Sequence, residues 1–122
     1  MEGIVHTYHD SGQLKEKYFT NNQKKEGKYE SYWKNGRLMC SRNYCNGELD
    51  GEYKLYYENG QQSEIRYYVN GKEELQHISY HPNGQLRHTS NYINGQLNGA
   101  DKTYYLNGQC EIMYWRNGTR IE

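Results

Sequence analysis

The chain has 122 residues, 15 basic and 15 acidic side chains, and a formal net charge of zero. Only 17 residues are Leu, Ile, Val or Phe, whereas 15 are Tyr and 2 are Trp. This composition excludes a thick aliphatic core and favours a thin sheet, in which aromatic rings pack while their polar tips stay wet.

Basic and acidic residues balance in both halves of the chain, which argues against nucleic acid as a partner. No apolar run reaches membrane-spanning length, and the first residues lack the basic and apolar regions of a signal peptide. The three cysteines, Cys40, Cys45 and Cys110, show no Cys-x-x-Cys spacing, so we expect reduced thiols. The sequence therefore predicts an intracellular, cytoplasmic protein.

An aromatic residue followed by a turn that ends in glycine recurs every 24 residues. The turn glycines are Gly12, Gly36, Gly60, Gly84 and Gly108. A tyrosine opens each copy four residues earlier, at Tyr8, Tyr32, Tyr56, Tyr80 and Tyr104. This spacing predicts one domain over residues 1–122 with five units, at residues 4–27, 28–51, 52–75, 76–99 and 100–122.

Each unit contains a second turn about 11 residues after the first. Asn-Gly pairs form four of these turns and contribute Gly47, Gly71, Gly95 and Gly118, which with the first-turn glycines are the predicted structural turn positions. Asn22-Gln23 takes this place in the first unit, and the last unit is one residue short before Asn117. Terminal units of a repeat array are often atypical, because each has only one neighbour.

Asn-Gly between short aromatic and β-branched runs predicts a two-residue type I′ hairpin at the first turn of each unit. In the third unit the predicted cross-strand pairs are Tyr57/Gln62, Leu55/Glu64, Tyr53/Arg66 and Gly51/Tyr68. The same register pairs Gly27/Tyr44, Leu75/Tyr92 and Gly99/Arg116. In the pairs Gly51/Tyr68 and Gly27/Tyr44 a ring is expected to cover the strand glycine. The predicted fold is all-β: an elongated repeat array of about five stacked antiparallel β-hairpins in a meandering, twisted single sheet of about ten strands.

The opening tyrosines are expected to form a column on one face of this sheet. The candidate interaction surface comprises Tyr8, Tyr32, Trp33, Tyr56, Tyr57, Tyr80, Tyr104 and Tyr105. The alternative interpretation is that the column is the packing spine of a thin sheet.

Catalytic motifs are missing from the sequence: there is no phosphate-binding glycine loop, nucleophile elbow or His-Glu-x-x-His metal site. His77, His81 and His88 share one predicted face of the fourth unit. His77 and His81 are about 13 Å apart along one strand and cannot share an ion, although either could approach His88 diagonally. Amphipathic surface rings are the preferred interpretation. We therefore expect a protein that is not an enzyme, without catalytic residues, cofactor or metal.

The units resemble the variant form of the MORN repeat, in which Tyr-Tyr-x-Asn-Gly-x-Leu is followed by Tyr-x-Asn-Gly-x-x-x-Gly. The third unit carries Tyr56-Tyr57-Glu58-Asn59-Gly60 and Tyr68-Val69-Asn70-Gly71, and the second carries Tyr44-Cys45-Asn46-Gly47-Glu48-Leu49-Asp50-Gly51. The first unit departs from the pattern at Asn22-Gln23, and the fourth has Leu75 in place of a glycine. The resemblance implies a meander of hairpins used in scaffolding, self-association or partner binding.

Relatives of this form include antitoxin-like bacterial proteins and giant-virus proteins, so a viral source would imply association with the virion. Two hypotheses of function follow. The first is a structural or interaction module that binds a protein partner, or a second copy of itself, through an aromatic face or an open edge strand. The alternative is a binder of a glycan or other small ligand by stacking on tyrosine rows and Trp33, or an antitoxin-like protein. No transmembrane segment is expected, and peripheral membrane contact stays open.

Overall fold

The computed structural model describes residues 2–121, which form twelve β-strands connected by turns. The strands are β1 (Glu2–Tyr8), β2 (Leu14–Asn21), β3 (Lys24–Tyr32), β4 (Leu38–Cys45), β5 (Glu48–Tyr56), β6 (Gln62–Val69), β7 (Lys72–Tyr80), β8 (Leu86–Ile93), β9 (Gln96–Leu97), β10 (Gly99–Tyr104), β11 (Cys110–Arg116) and β12 (Thr119–Ile121).

All twelve strands belong to one antiparallel sheet, in which neighbours follow one another in chain order. The predicted all-β meander of hairpins is therefore confirmed. There are more strands than the expected ten, because β9 and β10 are two pieces of one interrupted strand, both paired with β8, and β12 follows the last turn. The described residues include no helix of membrane-spanning length and hydropathy.

The first turn of each unit is a three-residue loop, so the predicted type I′ turn is wrong at this position. In the third unit the Gly60 N–H donates to the Tyr57 carbonyl at 3.0 Å, and the Tyr57 N–H donates to the Gln61 carbonyl at 2.8 Å. Gly60 has a φ of +91°, whereas Asn59 does not have a positive φ. This pattern is a type I turn followed by a glycine bulge, which is the usual three-residue hairpin loop.

The type I′ geometry occurs instead at the second turn. Asn46 and Gly47 have φ values of +54° and +87°, and the flanking residues Cys45 and Glu48 are paired directly. Both central positions are left-handed, as this turn requires. An Asn-Gly pair suits both kinds of turn, since asparagine and glycine tolerate either conformation, and the dipeptide alone did not distinguish them.

A β-bulge beside the first turn preserves the predicted register in the rest of each hairpin. Tyr56 pairs with Gln62, so the predicted pairing of Tyr57 with that residue is wrong by one position. The next pair along is Leu55 with Glu64, as predicted, and Ser63 is the extra residue. The three-residue loop and the bulge compensate for each other, and the predicted pairs Tyr53/Arg66 and Gly51/Tyr68 are confirmed.

The last hairpin lacks this bulge. The register from Tyr104/Cys110 to Gly99/Trp115 is uninterrupted. The prediction that Gly99 pairs with Arg116 is therefore wrong by one residue. The residue missing before Asn117 is the bulge residue itself, which explains how the shorter unit keeps its strands in line.

A second irregularity recurs where β3, β5, β7 and β10 leave their turns. The residues at this position all have positive φ: Gly27 (+77°), Gly51 (+99°), Leu75 (+63°) and Gly99 (+93°). The predicted pairs Gly27/Tyr44 and Leu75/Tyr92 are confirmed. A Cβ added to Gly27 would meet no heavy atom within 4 Å, so backbone conformation, rather than the expected close ring contact, explains this glycine.

The buried side chains lie on a single face of the sheet. Tyr29 and Cys40 are buried, and so are three serines, Ser31, Ser79 and Ser90. They share a face because they alternate along their strands or are directly opposed across strands, as Ser31 is to Cys40. The same face carries the polar and aromatic cluster described next.

Candidate functional site

A row of directly opposed tyrosines and arginines crosses the sheet from β2 to β6. The pairs are Tyr18/Tyr29, Tyr29/Arg42, Arg42/Tyr53 and Tyr53/Arg66. Directly opposed residues of antiparallel strands project from the same side of the sheet. We call this surface the tyrosine–arginine face and define it as Tyr18, Tyr29, Tyr44, Tyr53, Tyr68 and Tyr92 with Lys25, Arg42 and Arg66.

Arg42 lies at the centre of three tyrosine rings. Its guanidinium carbon is 4.1 Å from the ring centre of Tyr29 and 5.6 Å from those of Tyr44 and Tyr53. These distances are within the range of cation–π attraction. Its Nη1 also donates a hydrogen bond to the Tyr53 hydroxyl at 3.3 Å. The rings therefore hold the guanidinium in place.

The charge of Arg42 is not neutralised by a neighbour. Burial is the largest single effect and opposes its positive charge, but the hydrogen bond to Tyr53 and the electrostatic influence of Tyr44, Cys40 and Tyr53 together raise the pKa of Arg42. Among residues 2–121 no carboxylate forms an ion pair with it. Its Nε is buried and has no hydrogen-bond partner. The guanidinium thus keeps its positive charge, and one of its buried donors is unpaired among the described residues.

Lys25 adds a second cation beside the same rings. Its ammonium nitrogen is 5.2 Å, 5.1 Å and 5.4 Å from the ring centres of Tyr18, Tyr29 and Tyr44. The rings of Tyr18 and Tyr29 are stacked, with centres 5.4 Å apart. Three aromatic rings around one ammonium form a cage of the kind that binds cations. Here the cage is occupied by a lysine of the chain itself.

The Glu16 carboxylate anchors the hydroxyl end of Tyr29. The Tyr29 hydroxyl donates a hydrogen bond to Glu16, which also accepts one from the Thr7 hydroxyl at 2.9 Å. The hydrogen bond from Tyr29 lowers the pKa of Glu16, and burial together with that bond raises the pKa of Tyr29. Tyr29 is therefore fixed as a neutral donor over the physiological pH range.

Arg66, in contrast, is neutralised. Its Nη2 lies 2.6 Å from a carboxylate oxygen of Glu64, and its Nη1 donates to the Tyr68 hydroxyl at 3.2 Å. His77 lies nearby, with Nδ1 2.7 Å from a Glu73 carboxylate oxygen and Nε2 3.5 Å from Glu64. Arg42 and Lys25, which form no ion pair within residues 2–121, lie at one end of the tyrosine–arginine face, where the charge of Lys25 also helps to lower the pKa of Glu16.

The three histidines of the fourth unit have separate partners. His77 pairs with the carboxylates above, His88 pairs with Asp101, and Nε2 of His81 lies 2.9 Å from the carbonyl oxygen of Tyr104. Trp115 also donates to Asp101, at 3.1 Å. No group of three or more potential metal ligands comes together within residues 2–121.

The opening tyrosines lie on the other face of the sheet. Tyr32 and Tyr56 each follow a residue of the tyrosine–arginine side in their strands, and alternation places them opposite. They are half-buried, whereas Tyr8, at the edge, is 60% exposed. The role of the opening tyrosines as an interaction surface stays a prediction.

The second aromatic residue of each unit links it to the next. Trp33 Nε1 donates to the Tyr56 carbonyl at 3.2 Å, and the Tyr57 hydroxyl donates to the Tyr80 carbonyl at 2.6 Å, each 23 residues on. Tryptophan, tyrosine and histidine share a polar ring atom that can reach this carbonyl. We call these contacts the inter-unit hydrogen bonds. Tyr105 occupies the same position and is 44% exposed.

Sequence reasoning missed most of the tyrosine–arginine face, including Lys25 and Arg42. A signal was present, because Tyr44, Tyr68 and Tyr92 recur at the 24-residue step, as do Arg42 and Arg66. The predicted register already placed Tyr53 opposite Arg66. Extending that pair into a row also requires the register between strands of neighbouring hairpins, such as β4 and β5, which the hairpin turns alone do not give.

Comparison with known proteins gives one result. A family model described as MORN repeat variant matches residues 1–22, 25–46, 49–70 and 73–94, at the same 24-residue step and over more than half of the chain. No curated protein matches the chain.

Proposed function

Because the chain belongs to the MORN repeat family, in its variant form, we propose that it is a non-enzymatic module that binds a protein partner through the tyrosine–arginine face. MORN repeats are generally structural and interaction modules. We count the hairpin of β10 and β11 as a fifth unit, beyond the four that the family model matches, because it repeats the same turn without the bulge residue.

The observation that carries this proposal is the arrangement around Arg42. Tyrosine and arginine are the residues most enriched at the energetic centres of protein interfaces. Here their side chains are already held by ring contacts and by the hydrogen bond to Tyr53. Binding would therefore lose little side-chain freedom, which favours affinity.

The charge of this region favours an acidic partner. Arg42 and Lys25 lie beside the same rings, Tyr29 and Tyr44. Arg42 forms no ion pair with a carboxylate of the described residues. A carboxylate of the partner could accept charge-assisted hydrogen bonds here, while an apolar segment packs on the neighbouring rings. The expected ligand is a protein segment that carries Asp or Glu next to apolar residues.

Affinity capture from the native host tests this proposal. The wild-type chain is compared with the double variant Lys25→Ala/Arg42→Gln and with a control on the opposite face, Lys54→Ala/Tyr67→Ser. A partner held through the tyrosine–arginine face is retained by the wild type and the control and is lost from the first variant. Thermal unfolding of all three proteins shows whether each remains folded.

Glycan binding is the competing outcome. Rows of tyrosines also suit stacking on sugar rings. The same proteins on a glycan array distinguish the two, since a glycan signal that depends on Arg42, with no captured protein, would overturn the proposal. Capture that is equal for the wild type and both variants would also contradict it, because the interaction would then lie elsewhere.

A further inference from the structure

Two edges of the sheet are open among the described residues. β1 pairs with β2 on one side only. On the outer side of β11, β12 covers only residues 114–116. Residues 110–113 pair with β10 on their inner side and have no strand on their outer side within residues 2–121. Free strand edges of this kind can accept a further strand.

The two open edges correspond, by the 24-residue repeat, to strands that already pair inside the sheet. Cys40, Ser41 and Arg42 of β4 pair with Leu55, Lys54 and Tyr53 of β5. When the bulge residue that β11 lacks is allowed for, the equivalent positions are Glu111, Ile112 and Met113 in β11, and Thr7, His6 and Val5 in β1. The open edge of β11 is therefore equivalent to β4, and the open edge of β1 is equivalent to β5, the strand with which β4 pairs.

The side chains at these edges also match. Pairing in that register sets Met113 opposite Val5 on one face. On the other face, Ile112 would lie opposite His6 and between Ile4 and Tyr8. Ile4, Tyr8 and Ile112 are 63%, 60% and 50% exposed. Both edges thus expose large apolar side chains that a paired strand would cover.

A fifth donor position of the inter-unit hydrogen bonds lies at the same edge. Trp33, Tyr57 and His81 each contact the opening tyrosine carbonyl of the following unit. Tyr105 occupies this position, and the equivalent acceptor is the carbonyl of Tyr8 in another molecule. The Tyr105 side chain is 44% exposed. The charge of the Glu111 carboxylate and a hydrogen bond with it raise the pKa of Tyr105, so its hydroxyl stays protonated as a donor.

We propose that residues 110–113 of one copy of this chain pair with β1 of a second copy, so that copies associate head to tail and extend the sheet. The two surfaces differ, so the contact is heterologous and does not close at a dimer. In this register Ile4 would face Tyr114, whose outer side already pairs with Ile121, so the new pairing is confined to residues 5–8. So short a strand gives a weak interface and a concentration-dependent assembly. None of the residues that define the tyrosine–arginine face lies on β1 or β11, although the contact adjoins Tyr18, which pairs with Val5.

Disulfide trapping tests the register directly. The proposed pairing sets Cys110 of one copy opposite Tyr8 of the next, a spacing that a cross-strand disulfide can bridge. In a Cys45→Ser background, where the remaining native thiols are buried Cys40 and exposed Cys110, Tyr8→Cys should form disulfide-linked dimers, trimers and longer species under mild oxidation. Ile93→Cys in the same background is the control for an exposed thiol on an interior strand.

Two outcomes of the trapping experiment would overturn the proposal. One is a Tyr8→Cys product that persists when Cys110→Ser is added, since the link would then join two copies of residue 8. The other is equal cross-linking of the Tyr8→Cys and Ile93→Cys proteins, which would show random collision. Loss of the ladder in the Cys110→Ser protein supports the proposed register.

Sedimentation velocity over roughly 10 µM to 1 mM tests the assembly without cross-linking. The wild type should grow beyond a dimer as concentration rises. Tyr105→Phe should weaken association about three- to tenfold, as expected for the loss of one hydrogen bond. Ile112→Asp should weaken it more, and Ile93→Asp, at a comparably exposed site on the interior strand β8, should not change it. A wild type that stays monomeric or saturates as a dimer would overturn the proposal.

Discussion

Replacing Gly51 by alanine is expected to lower the free energy of unfolding by about 1–2 kcal/mol. Gly51 has a φ of +99°, a conformation that residues with a Cβ rarely adopt. The added Cβ would come no closer than 3.8 Å to another group, the Asn43 side chain, so no clash contributes. The cost is therefore backbone strain of about 1–3 kcal/mol, reduced by the smaller conformational freedom of the unfolded alanine chain.

Gly3 provides a matched control. It lies 24 residues before Gly27 and 48 before Gly51, at the same position of the repeat, but it does not have a positive φ. An added Cβ there meets nothing within 4 Å. Gly3→Ala should therefore leave stability unchanged or raise it by up to about 1 kcal/mol. Across the two variants the expected difference is about 2 kcal/mol, or roughly 6–10 °C in melting temperature for a chain of this size.

Urea titration and thermal unfolding, followed by circular dichroism and tyrosine fluorescence, measure this difference. Equal melting temperatures for Gly51→Ala and Gly3→Ala would refute the conformational explanation of the recurrent glycine. A Gly51→Ala protein with changed denaturant dependence, rather than only a shifted midpoint, would indicate that unfolding is no longer one cooperative step, as can occur in repeat arrays.

Further predictions follow from the same structure. Leu75→Gly should raise the free energy of unfolding by about 0.5–1 kcal/mol in urea titration, because Leu75 is 63% exposed and has a φ of +63°. A decrease would show that packing of the Leu75 side chain stabilises the fold by more than its positive φ destabilises it. Tyr57→Phe should lower stability by about 1 kcal/mol through loss of its inter-unit hydrogen bond, whereas Tyr67→Phe, on an exposed ring, serves as the near-neutral control in the same titration. Raising the pH above about 10 should lower the melting temperature, because burial raises the pKa of Tyr29 and the unfolded chain therefore releases this proton first. Tyr29→Phe should reduce the slope of melting temperature against pH. An unchanged slope would contradict the assignment of this effect to Tyr29.

The inter-unit hydrogen bonds show why some features escape sequence reasoning. His, Trp and Tyr at the second position look chemically unrelated, and the sequence predicts only exposed aromatic rings there. Their common property, a ring atom that reaches the next unit, becomes visible only when the spacing between Trp33 and the Tyr56 carbonyl is known. The carbonyl itself leaves no trace in the sequence, because every residue has one.

The 24-residue step determined the repeat, the antiparallel meander and most cross-strand pairs, because turn chemistry and alternation act over a few residues. Local sequence did not decide between type I′ and bulged turns, since Asn-Gly is compatible with both and the bulge restores the same register. The tertiary structure alone decided the environment of Arg42. That environment depends on Tyr29 and Tyr53, which lie on two neighbouring strands, and on the distance at which the sheet holds their rings. Cation–π attraction and neutralisation of charge depend on such distances, which the order of residues along the chain does not specify.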